Sequence, residues 1–85
     1  MLGDYSPGVL YDAFTGSANV SKFYDFTIKS IRIINTGAAT VTVTTGHDVF
    51  AAIPAGQAFD ELVIPTKTFS IAATDAFVCY VRADG

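Results

Sequence analysis

Residues 40–45 read TVTVTT, a strict two-residue alternation that only an extended strand sorts onto two separate faces. Val41 and Val43 share one face and Thr40, Thr42 and Thr44 the other, the pattern of a half-buried strand with a hydroxyl-lined outer side. Runs of the same kind recur along the chain, separated by glycine, proline and asparagine, and no window carries a sustained helical stripe. Together they exclude a helical domain.

The other runs follow from the same logic. Residues 23–35, FYDFTIKSIRIIN, are rich in β-branched and aromatic side chains and predict a long strand. Its phase changes midway: Phe26 and Ile28 have one parity, Ile31 and Ile33 the other. A bulge or bend near Lys29 and Ser30 would let both pairs face one core. Asn35 and Gly37 suit a tight turn that requires positive φ. Further strands are predicted over residues 49–53, closed by Pro54; over 58–64, closed by Pro65; over 67–72; and over 76–82, where Phe77, Cys79 and Val81 share a face.

Residues 1–20 hold Tyr5, Val9, Leu10, Tyr11 and Phe14 among Gly3, Pro7, Gly8 and Gly16, and fit neither period. They read as an extended arm ahead of a β-domain over residues 21–85. The fold predicted is therefore all-β: a small antiparallel β-sandwich or jelly-roll-like barrel preceded by an extended N-terminal arm.

Such a domain has a stability problem. In 85 residues one core supplies only about 3–5 kcal/mol, and disulfides, metals or oligomerisation usually supplement it. Cys79 is the sole cysteine, so it has no partner within the chain. Cys79 and His47 fall short of a zinc ligand set, so neither metal nor cofactor is expected. Oligomerisation remains, and composition agrees with it. Charged residues are 15% of the chain and apolar ones 51%, against roughly one quarter charged in ordinary soluble domains. A surface so poor in charge is expected to be covered by other chains.

Several partners are disfavoured. The net charge is −3, and Lys22, Lys29, Arg32, Lys67 and Arg82 are scattered, so no basic patch for nucleic acid is expected. No apolar run approaches the roughly 20 residues of a membrane-spanning helix. The first residues carry an acid and a proline where a signal peptide has basic and then apolar residues, so export by the general secretory route is not expected.

Catalytic groupings are weak. His47 and Asp48 are sequence neighbours in a turn and do not orient one another as a triad requires; Ser17, Ser21, Ser30 and Ser70 lack a partner base. Asp60 and Glu61 are adjacent on a strand and point to opposite faces, so they are expected at a rim, one of them beside Lys67 or an arginine. Cys79 has core parity and reads as a small apolar group. No enzymatic activity is expected. Tyr80 and Arg82 share the outer face of the last strand, a pairing common among interface anchors.

Three segments, IRIINTGAATVTVTTG, IPAGQAFDELVIP and TFSIAATDAFVCYVRADG, resemble the small β-sandwich virion proteins of tailed bacteriophages, closest to the capsid decoration or cement proteins. The pattern covers residues 26–85. The resemblance implies a subunit made in the host cytoplasm that binds the assembled shell from outside, commonly as a homotrimer, against the major capsid protein. Tyr5, Val9, Leu10, Tyr11 and Phe14 are then candidates for shell or subunit contact, and Tyr80 and Arg82 for the subunit interface. Removing residues 1–18 is expected to abolish attachment and leave the β-domain folded. The alternative is a host-recognition or carbohydrate-binding module of a head or tail fibre, using the threonine face.

Overall fold

The computed structural model describes residues 8–46 and 49–83. The expectations placed on Tyr5, His47 and Asp48 fall outside these residues.

The described chain is all-β. Strands β1 (Val9–Gly16), β2 (Val20–Asn35), β3 (Val41–Thr45), β4 (Phe50–Ile53), β5 (Ala58–Ala72) and β6 (Phe77–Ala83) form one antiparallel sheet in the order β1-β6-β2-β5-β3-β4. The two longest strands organise it. The second half of β2 lies between β6 and the first half of β5, whereas the first half of β2 pairs with the second half of β5, which in turn carries β3. Both long strands lose register on the way, β2 between Phe23 and Ser30 and β5 between Leu62 and Thr68.

The sheet thereby folds over its own core as a sandwich. One layer is β1, β6 and the adjoining halves of β2 and β5; the other is the remaining halves with β3 and β4. Between them lie Ile28, Ile31 and Ile33 of β2, Val41 and Val43 of β3, Ile53 of β4, Phe69 and Ile71 of β5, and Phe77, Cys79 and Val81 of β6, all buried. Burying such side chains contributes about 1.5–3 kcal/mol each for the larger ones.

The expected irregularity in β2 is present. Ile28 and Ser30 face Ala83 and Arg82, two steps on β2 against one on β6, and the buried parity switches there from Ile28 to Ile31 and Ile33. The bulge lets one continuous strand serve the core with both phases.

Three expectations need correction. Residues 8–16 are extended but are not a projecting arm: β1 is the outermost strand of the sheet, paired with β6 from Val9↔Ala83 to Gly16↔Phe77. Its alternation is hidden because the register slips between Leu10 and Asp12, leaving Tyr11 as an extra residue that breaks the period. Second, residues 58–64 and 67–72 are one strand running through Pro65. The proline sits where the β2–β5 register jumps from Leu62 to Thr66, so no ladder hydrogen bond needs its missing N–H. Third, among the described glycines positive φ occurs at Gly8 and Gly56, not at Gly37. Gly56 takes φ 77° in the turn closed by Gln57 N–H to the Pro54 carbonyl, whereas at Gly37 a Cβ would collide with Asp75.

Candidate functional site

Because directly paired residues in an antiparallel sheet share a face, the ladder fixes what each outer surface presents. On the first layer the rows Thr15–Val78–Ile34–Ala58 and Ala13–Tyr80–Arg32–Asp60 run across β1, β6, β2 and β5. A third row brings Leu10, Arg82, Ser30 and Leu62 into line. Tyr80 and Arg82 thus stand on the outside of the layer as read from the sequence, both half-buried by their neighbours. Leu10 and Leu62 flank them about half exposed. Arg32 Nε lies 4.0 Å from Asp60 Oδ2 with both side chains largely in solvent, an ion pair worth at most about 1 kcal/mol. This face is largely apolar, with Arg32 paired to Asp60 and Arg82 in the next row.

The second layer presents different chemistry. Ser21 faces Ser70, which faces Thr44, which faces Phe50; Phe23 faces Thr68, and Thr42 faces Ala72 and Ala52. The hydroxyl row of β3 therefore continues over β5 and β2, bordered by Phe23, 79% exposed, and Phe50, 72% exposed. Sequence reasoning passed over both phenylalanines. The signal for Phe23 is its parity, opposite to that of the inward Phe26 and Ile28.

The candidates on β1 separate in the structure. Val9, Leu10 and Tyr11 are each about half exposed. Phe14 belongs to the protein's own interior: its ring stacks with Phe69 at 6.5 Å and meets Phe77 edge-on at 6.2 Å, with the Lys22 amine 4.5 Å above it. From there rings continue outward through Tyr24 and Phe26 to Tyr11, the last three spaced 4.8 and 4.9 Å apart. Contacts of this kind contribute about 0.5–1.5 kcal/mol each beyond burial, and they fasten β1 to the opposite layer.

Polar groups on the inner side are few. Tyr24 donates to Asp12 Oδ2 at 2.6 Å; burial first, and this hydrogen bond second, raise its phenol above the ordinary tyrosine range. Burial pushes the Cys79 thiol up to about 12, with the Asp12 carboxylate adding to the shift, so at neutral pH it stays a thiol. Asp60 and Glu61 point to opposite sides, as their adjacency requires. Glu61 is exposed and stands beside an apolar slot of about 230 Å³ between the β3–β4 hairpin and the first half of β5. Val43, Phe50, Ala51, Phe59 and Val63 share its lining.

Comparison with protein-family models, with curated proteins and with solved structures finds no match to this chain.

Proposed function

We propose that the chain is a structural subunit that works by docking onto other protein chains. Its partners are copies of itself, as a homotrimer, and the major capsid protein of a tailed bacteriophage. In this reading it sits on the outside of the virion shell as a decoration or cement subunit, and catalysis has no part in its role.

One observation carries the proposal. In a chain with 15% charged residues, Val9, Leu10, Tyr11, Phe23, Val49, Phe50, Leu62 and Ile64 all stand about half exposed or more. Leu10 and Leu62 flank Tyr80 and Arg82, giving a surface of the composition that protein interfaces favour at their centres. The resemblance of residues 26–85 to cement proteins supplies the identity of the shell.

Sedimentation of the purified chain, alone and with assembled shells, tests this. An oligomer built of trimers that pellets with shells, and whose pelleting is weakened at least tenfold by Arg82→Glu with the melting temperature kept, is the expected result. A wild-type chain that remains in the supernatant overturns the shell assignment.

The second layer favours a second reading. A hydroxyl-rich face bordered by two solvent-facing phenyl rings offers stacking and hydrogen bonding together, the combination by which β-modules hold sugars. Binding on a glycan array that is lost in Phe23→Ala and Phe50→Ala would replace the cement reading with host recognition.

A further inference from the structure

A sheet that ends in open edges must protect them or pair them. Natural edges are defended by charge, proline, bulges or inward-pointing charged groups. β1 has two of these devices, the register slip at Tyr11 and the inward carboxylate of Asp12. The first half of β5, paired among the described residues with β2 on one side only, carries Asp60 and Glu61 and runs into Pro65. β4, the other end of the sheet, is short and is followed by Pro54, but it carries no charge, bulge or inward-pointing charged group. Its four residues Phe50–Ile53 are uncharged and pair with β3 without a slip, and Val49 and Phe50 beside it stand in solvent.

We infer that β4 is a self-pairing edge, joining two copies of this chain antiparallel about a two-fold axis at Ala51. The direction of the backbone groups selects the register. Thr45 N–H donates to the Val49 carbonyl at 2.8 Å, so Val49, Ala51 and Ile53 turn their backbone groups to β3. Phe50 and Ala52 turn theirs away from it. With the axis at Ala51, Phe50 lies opposite the partner's Ala52 and Ala52 opposite the partner's Phe50, so the outward N–H and C=O groups satisfy one another.

Side chains agree with that register. On the outer face each large Phe50 meets a small alanine, and the strand lies along the 230 Å³ slot. No like charges are brought opposite. An equivalent pairing through residues 58–64 would set Asp60 and Glu61 close to their own copies, which repulsion opposes. The contact is isologous, so it couples units in pairs: two chains, or two larger assemblies. It rests on the reading that the chain associates with itself, but not on the nature of any shell.

Ala52→Pro tests it with little disturbance of the fold, because it deletes an N–H that β3 does not use. Phe50→Lys adds a charge at the same edge and decides the matter should the proline variant fail to fold. The wild type is expected to sediment at twice the mass of either folded variant, and its Phe50 and Ala52 amides should become protected from hydrogen exchange as concentration rises. Folded variants that keep the wild-type mass overturn the β4 contact and leave self-association standing. A wild type that is monomeric at every concentration overturns both.

Discussion

The side-chain amide of Asn35 donates to the carbonyl of Ile53 across 2.8 Å, joining the end of β2 to the end of β4 beneath the core. The same nitrogen reaches the Ala39 carbonyl at 2.8 Å, and Oδ1 accepts from Gly37 N–H. The Asn35 backbone binds Gln57 and Gly56. One buried amide thus ties the β2–β3 turn to the β4–β5 turn with every side-chain polar atom satisfied.

Asn35→Ala should therefore cost about 2–4 kcal/mol, since it strands buried carbonyls without removing their desolvation. Urea unfolding monitored by circular dichroism measures it. A loss below about 1 kcal/mol would mean that water replaces the amide at no penalty.

Asp75, in the β5–β6 turn, ties that turn to the same β2–β3 turn, accepting from Ala38 N–H and Ala76 N–H at 2.8 Å each. These two donors hold its carboxyl below the usual carboxylate range. Its contribution to stability is present above the unfolded-state value of about 3.9 and fades as pH falls through the lower folded value. Melting temperature against pH should fall more steeply below about pH 4 for the wild type than for Asp75→Asn. Parallel curves would remove Asp75 from the account.

Cys79, buried with its thiol pushed up to about 12, should be inert to a thiol reagent in the native protein and react once the chain unfolds. Cys79→Ser should destabilise by about 1–3 kcal/mol, because it places a hydroxyl in an apolar site. Rapid labelling under native conditions would show that β1 and β6 part readily.

Deleting residues 1–18 should unfold the domain, contrary to what an arm would do. It removes β1, exposes one edge of β6 and takes the Phe14 ring from Phe69 and Phe77. Phe14→Ala alone should cost about 2–3 kcal/mol, below the range for a fully buried phenylalanine. Tyr11→Ala, at the exposed end of the ring series, should cost much less. Equal and small effects at both positions would restore the arm.

The all-β class, the minimal helix content, the bulge in β2 and the core parity of Phe77, Cys79 and Val81 were legible in the amino-acid sequence. Each depends on side-chain period, which is a local property of neighbouring residues. The outward placement of Tyr80 and Arg82 was legible for the same reason. What lay beyond it depends on which strands meet. Val9–Gly16 looks aperiodic until pairing with β6 identifies Tyr11 as the extra residue. Phe23 and Phe50 border one hydroxyl face only because β2, β5, β3 and β4 are neighbours in that order. The uncharged edge of β4 acquires meaning only when, among the described residues, no further strand is found beside it, since the pairing of distant strands is decided by the packing of the whole core.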